Sequence, residues 1–229
     1  MMILIRSARL RAALRLLLPF AVIPLLVAAG AIFFGEKRYM IIALGVALLS
    51  LLLFAAGFER RQTGSRRMVL AAVITALCIA GRFIPFFKPV AALTILAAMY
   101  LGAETGFLVG ALSALLSNFW FGQGPWTPFQ MLAWGMIGLI AGYLRQPLMR
   151  SRALLLIVGA LSGVAYSLLM DVWTVLWYNG SPDWQLYGAA VLTALPHTLL
   201  YSASNLIFLA LMARPIGEKL GRIRLKYGL

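Results

Sequence analysis

Eight apolar segments can be drawn along this chain of 229 residues, at about 16–34, 39–58, 68–84, 89–101, 105–121, 128–144, 153–177 and 187–213. A hydrocarbon core about 30 Å thick needs about 20 mostly apolar residues per helical span. Eight such spans use up most of the length, and no stretch is left that would fold as a separate catalytic domain. In lipid the backbone must satisfy its own hydrogen bonds, and no period-two barrel pattern occurs, so each segment reads as a helix. The fold class that follows is all-α and integral to a membrane. The fourth segment is short for a span and is expected to tilt little or to sit deep in the bundle.

Composition agrees. The chain is 63% hydrophobic and only 11% charged, whereas about a quarter of an ordinary soluble domain is charged. A net charge of +14 would point to nucleic acid in a soluble protein. In a membrane protein it reflects cytoplasmic loops held against anionic lipid, so membrane lipid is an expected partner and nucleic acid is not. With the N-terminus cytoplasmic, the inside carries Arg6, Arg9, Arg11, Arg15, Arg60, Arg61, Arg66, Arg67, Arg145, Arg150, Arg152, Arg214, Lys219, Arg222, Arg224 and Lys226. The outside carries only Lys37, Arg38, Arg82 and Lys88. Such a bias places both termini in the cytoplasm and requires an even number of spans. Trp126, Trp177, Tyr178, Trp184 and Tyr187 then gather at the outer face, some of them as interfacial anchors. The expected location is a bacterial-type inner membrane, crossed many times.

The first segment loosely imitates a signal peptide, with basic residues, an apolar run and Ala29-Gly30-Ala31. It is long, holds Pro19 and Pro24 and precedes seven more spans, so an uncleaved helix is expected. The loop from Glu59 to Arg67 (ERRQTGSRR) is the one shift in composition that looks like a boundary. It divides the chain into a transmembrane hairpin with a basic loop, residues 1–65, and a six-helix region with a basic tail, residues 66–229. The hairpin reads as packing or anchoring.

Small residues recur at helical spacing. Ala72, Ala76 and Ala80 lie along one face of the third segment, which fits either internal packing or a partner helix. Gly102, Gly106, Gly110 and Ala114 form a second stripe, Gly138 and Gly142 a third, and Gly159 and Gly163 a fourth. They imply tight helix packing. Cys78, the single cysteine, makes no internal disulfide and reads as a small packing residue.

The fifth and sixth segments are joined outside by Asn118-Phe-Trp-Phe-Gly-Gln-Gly-Pro-Trp-Thr-Pro-Phe-Gln130. A passive loop needs the turn formers in this run but not so many rings and amides. Rings offer stacking surface and amides offer paired donors and acceptors, which suits a heteroaromatic or amide-rich small molecule. Two ionisable groups lie within the spans. Asp171 is roughly 10 Å below Tyr178 and His197 roughly 15 Å below Tyr187, at 1.5 Å per residue. A buried carboxylate must face the interior and find a partner. Asp171 and His197 therefore either share a cavity in the outer half or form a structural pair, and Tyr201 and Asn205 extend the stripe begun by His197. No phosphate-binding Gly-x-x-x-x-Gly-Lys loop, no Cys/His cluster with metal-ligand spacing and no Gly-x-Ser-x-Gly elbow occurs, so neither a metal nor a cofactor is expected.

From about Arg66 to Ala213 the chain resembles the S components of energy-coupling factor (ECF) transporters, six-helix membrane subunits that bind vitamins and related micronutrients. The resemblance rests on Ala72, Ala76 and Ala80 in the first of the six helices, on the six-helix topology and on Gly102-Ala-Glu-Thr-Gly-Phe-Leu-Val-Gly110. The run from Ser117 to Gln130, found in a subset of that family, is its most specific part. The resemblance implies that the alanine stripe docks on a transmembrane coupling subunit, which rides on two cytoplasmic ATPases. It implies too that the subunit topples in the membrane, carrying a vitamin-like substrate inward. Gln123, Trp126 and Gln130 become pocket residues by motif, with Asn118 in the same run. Asp171, Asn179, Trp184, His197 and Tyr201 join them on depth alone. The subset points to a corrinoid such as cobalamin, each S component having its own ligand. The extra hairpin departs from most members and bears on whether docking is of the usual kind.

Two other classes compete. A solitary transporter would need an inverted repeat with broken helices, and no such internal symmetry is visible. An intramembrane Ser–His hydrolase would use Ser162 and His197, which differ in depth by roughly 9 Å.

Overall fold

The computed structural model describes residues 5, 7–33, 38–57 and 61–227, with side chains in the last stretch described from residue 65. Arg6, Lys37, Glu59, Arg60 and the side chain of Arg61 fall outside the described residues. All the described elements are helices. The first rod is α1 (Ala8–Leu17) and α2 (Ile23–Phe33), joined without a break by a π-helical turn over Leu18–Val22. Pro19, which has no N–H to donate, lies in that turn and accounts for the change of register. There follow α3 (Tyr39–Ala56), α4 (Arg61–Arg82), α5 (Val90–Leu101), α6 (Ala103–Phe121), α7 (Thr127–Tyr143), the short α8 (Arg145–Arg150), α9 (Arg152–Asn179) and α10 (Trp184–Tyr227). Each of the eight apolar segments thus becomes one rod. Ala8–Phe33, Tyr39–Ala56, Arg152–Asn179 and Trp184–Tyr227 are long and apolar enough by themselves to cross a membrane.

Three boundaries differ from the expectation. The basic loop after α3 is helical from Arg61, so α4 begins seven residues early. The basic tail is not a tail, because α10 continues to Tyr227 through Pro196 and Pro215. It is held on the bundle by buried Leu220 and by Arg66, which donates to the Tyr227 carbonyl at 3.0 Å. The helix α8 sits between spans, anchored by buried Leu148.

The short fourth span explains much of the shape. At 1.5 Å per residue α5 is only about 18 Å long, and every residue in it except Tyr100 is buried. It therefore sits deep in the bundle. One N–H group at its start finds a partner on another helix: Asn205 of α10, fully buried, accepts from the Ala92 N–H at 3.1 Å. That N–H belongs to the first turn, where an α-helix has no internal acceptor.

Glycine makes the core dense. A side chain at Gly138 would land on the backbone of Gly106, one at Gly110 on the backbone of Trp134, and one at Gly142 on Ala103. Helices α6 and α7 thus run backbone against backbone. Gly163 does the same for α9 against the backbone of Ser202 in α10, and a side chain at Gly159 would land on the Leu209 side chain. These stripes are internal packing. The alanine stripe differs, because Ala72, Ala76 and Ala80 are all exposed, beside exposed Val73 and Leu77.

The N-terminal hairpin packs on the other side, with α3 against α6 and α7 and α2 against α7 and α9. Ile23, Val27 and Ile42 are buried there, and the alanine face of α4 is left open. Arg15, Arg67, Arg145 and Arg224, all assigned to the inside by charge, line one cavity at one end of the bundle. Arg82 lies at the other end, at the close of α4.

The close approach of α6 and α7 gives a direct expectation. Gly138→Val should destabilise the fold by about 3 kcal/mol, at the upper end for overpacking because backbone cannot yield. Gly188→Val, where an added side chain meets nothing, should change little. Thermal unfolding of the two purified variants checks the contrast.

Candidate substrate pocket

The depth of α5 leaves its neighbours α9 and α10 extending past its end. From Asn205, level with the start of α5, helix α10 continues outward for 21 residues to Trp184, about 31 Å of helix. Helix α9 likewise rises 13 residues beyond Tyr166 to Asn179, about 20 Å. The α9–α10 hairpin therefore overhangs the outer ends of the shorter helices.

At the foot of this overhang lies a chain of buried hydrogen bonds that joins four helices. Arg82 of α4 donates to Ser117 and, at 2.8 Å, to the Asn118 carbonyl oxygen on α6. The Asn118 amide donates to Thr127 at 2.9 Å and to Gln130 of α7 at 2.8 Å. The Gln130 amide donates to the Tyr166 hydroxyl of α9 at 2.9 Å. Asn118 and Gln130 are almost fully buried, at 1% and 4% exposure. Gln123 belongs to the same system, since it accepts from Thr127 at 3.0 Å and donates to the Leu115 carbonyl at 2.8 Å. It pins the 122–126 loop to α6.

Rings surround this chain. Tyr166 stacks on Trp134, with centroids 5.3 Å apart, and meets Tyr201 of α10 at 4.8 Å. The Arg82 guanidinium lies 4.6 Å from the Phe121 centroid and 5.3 Å from that of Trp134, positions that favour cation–π attraction. Lys88 donates to the carbonyls of Arg82 and Ile84. Burial, and then the charge of Arg82, pull its ammonium below the ordinary lysine value. Trp126 meets Trp173 edge-on at 5.8 Å, and Trp173 stacks on Trp177. The hairpin touches this wall, where Val27, Gly30 and Tyr39 share a small cavity of about 20 Å³ with Pro125, Phe129, Trp173 and Trp177.

The expected residues thus divide. Asn118, Gln123, Gln130 and Tyr201 come together, and Trp126, next in the chain to Thr127, meets Trp173 instead. Asp171 lies five residues, about 7.5 Å, above Tyr166. It is buried, and its Oδ2 has no hydrogen-bond partner among the described residues. The structure does not bring the other three into this group. Asn179 is exposed and bonded to Ser181 in the turn after α9. Trp184 is 85% exposed, and its ring meets Tyr187.

His197 is exposed, and no bond to Asp171 or Ser162 occurs among the described residues. Residues four apart on an α-helix are offset by about 40°, so a stripe of i, i+4 and i+8 drifts by about 80°. Tyr201 and Asn205 face inward, and that drift turns His197 out. Ser162 is bonded to the Gly159 carbonyl and to Asn205, which leaves the Ser–His reading without its geometry.

Sequence reasoning missed Arg82, Ser117, Trp134 and Tyr166. Arg82 offered a signal, as an arginine at the very end of an apolar run, but its partners lie on another helix. Nothing local marks Tyr166.

With the geometry in place, comparison with known proteins adds one match. The family model described as ECF-type riboflavin transporter, S component, matches residues 63–221, from α4 into α10 and excluding the hairpin. No curated protein and no solved structure matches the chain.

The buried chain predicts unequal costs. Asn118→Ala strips partners from Arg82, Thr127 and Gln130 and should destabilise the fold by about 3 kcal/mol, whereas Gln123→Ala should cost about 1 kcal/mol. Equal losses in thermal unfolding would contradict the central place given to Asn118.

Proposed function

The chain belongs to the family of S components of ECF-type riboflavin transporters, and from that premise we propose riboflavin, or a close flavin, as the ligand of its outer pocket. It is the substrate-binding membrane subunit of an ECF transporter. The observation that carries the ligand proposal is the Asn118–Gln130–Tyr166 chain set among rings below the α9–α10 overhang. A flavin is a flat tricycle whose pyrimidine edge alternates donors and acceptors. Tyr201 and Trp126 offer it stacking surface, and Gln130 is an amide held at a fixed angle beside them. The unpartnered Asp171 oxygen is an acceptor for a ligand N–H or hydroxyl. Asn118 and Gln123 serve by positioning Gln130 and the loop that carries Trp126. The corrinoid to which the Ser117–Gln130 run pointed has no support from the family match and becomes the comparison ligand.

Membership carries partners with it: an ECF transmembrane component and ATPase components act with this subunit. The proposed contact is the exposed face of Ala72, Ala76 and Ala80, where small side chains allow a partner helix to come close. The hairpin lies against α6, α7 and α9 and leaves that face open, which favours docking of the usual kind. The proposed location is a bacterial inner membrane, with the pocket outward and the arginine-rich end in the cytoplasm.

The test is thermal stability of the purified chain, without partners, against riboflavin, cobalamin, thiamine, biotin and folate. Riboflavin at a hundredfold excess over its dissociation constant should add about 2.7 kcal/mol. Tyr201→Ala and Trp126→Ala should each weaken binding about tenfold with the fold intact. A response to cobalamin alone would restore the corrinoid. Ala76→Trp should abolish uptake in cells holding the partner subunits and leave binding unchanged; lost binding would make the stripe internal packing.

A further inference from the structure

The opposite end of the molecule holds a second polar site. A cavity of about 260 Å³ is lined by Arg15 of α1, Arg67 of α4, Arg145 at the start of α8 and Arg224 of α10, with Glu104 and Gly102 at the start of α6. Four arginines and one carboxylate thus line one cavity. That carboxylate is already engaged, since Glu104 is buried and paired with Arg15. The Nε–H groups of Arg67 and Arg145 are buried and have no hydrogen-bond partner among the described residues. Burying such donors unpaired costs free energy, more so when they are charged. The first turn of α6 adds to the field. No side chain caps it, and a helix N-terminus carries partial positive charge and free N–H groups.

We infer that this cavity is a binding site for a phosphate group. Planar guanidinium forks match phosphate oxygens bidentately, and a phosphate in the cavity would meet arginines from four helices. The cavity lies at the arginine-rich end, where the inner leaflet presents anionic phospholipid, and basic pockets between spans on that side bind such headgroups. The phosphate is therefore that of a lipid headgroup or of a free anion. The site is built from both parts of the chain, Arg15 from the hairpin and the other arginines from the six-helix region. A bound phosphate ties the two together at the cytoplasmic face. This inference is independent of what the outer pocket binds.

The full chain, reconstituted in nanodiscs of phosphatidylcholine with or without phosphatidylglycerol, provides the test through its thermal stability. Phosphatidylglycerol should raise the melting temperature of the wild type and of Arg150→Gln, which removes an exposed arginine outside the cavity. The double variant R67Q/R145Q should lose that shift, with phosphatidylglycerol binding weakened at least about tenfold. If millimolar inorganic phosphate in phosphatidylcholine discs reproduces the shift, the site takes the free anion; if it does not, the site takes the headgroup. No shift with either, or a shift that survives in R67Q/R145Q, overturns the inference. Should R67Q/R145Q fail to fold, R67K/R145K, which keeps the charge and loses the forks, is measured instead. Weakened binding then supports the site, and unchanged binding overturns it.

Discussion

The structure depends on the need to satisfy polar groups that lipid cannot hydrate. Arg82, Asn118, Gln130 and Tyr166 stand on four helices and form one bonded chain, with Arg82 also donating to Ser117. Each group would be costly alone in an apolar bundle. Together they fix the relative heights of α4, α6, α7 and α9. The chain closes only because α6 and α7 touch at their glycines, which brings Asn118 and Gln130 opposite each other. A second cross-helix bond, from Ala92 to Asn205, sets the depth of α5 in the same way. The sunken α5 leaves the α9–α10 hairpin overhanging the bonded chain, which is where the proposed pocket lies.

The two ends of the bundle are chemically opposite. The end that holds Arg82 is aromatic and amide-rich, and among the described residues its charges include Arg38, Arg82, Lys88, Asp183 and the buried Asp171. The other end gathers arginines from four separate helices around one glutamate. The hairpin touches both, through Val27, Gly30 and Tyr39 at one end and Arg15 at the other. It therefore braces the six-helix region along its length, on the side away from the alanine stripe. The proposed pocket and the proposed docking face therefore lie on different parts of the molecule.

Much of this was legible in the sequence. The eight rods follow from apolar length, and the gathering of Arg15, Arg67, Arg145 and Arg224 follows from the charge bias, because both depend on composition summed over many residues. The glycine stripes read correctly as packing. Within the candidate site, the run from Asn118 to Gln130 was legible because its amides and rings stand close together in the chain. Arg82 and Tyr166 were not, since their roles come from neighbours on other helices. His197 was misplaced because spacing gives a face only to within the drift of the helix. The helical tail of α10 escaped notice because its stability comes from Tyr100, Leu220 and Arg66, contacts that no local pattern announces.

The central claim is that the outer pocket stacks a flavin on its aromatic floor. Titration of riboflavin with the purified chain, followed by flavin fluorescence, tests it most directly, because an isoalloxazine ring lying on tryptophan or tyrosine loses its emission. The account predicts saturable quenching with one flavin per chain, relieved when Tyr201 and Trp126 are both replaced by alanine in a folded protein. Undiminished emission in the presence of excess protein, or quenching indifferent to both rings, would contradict it.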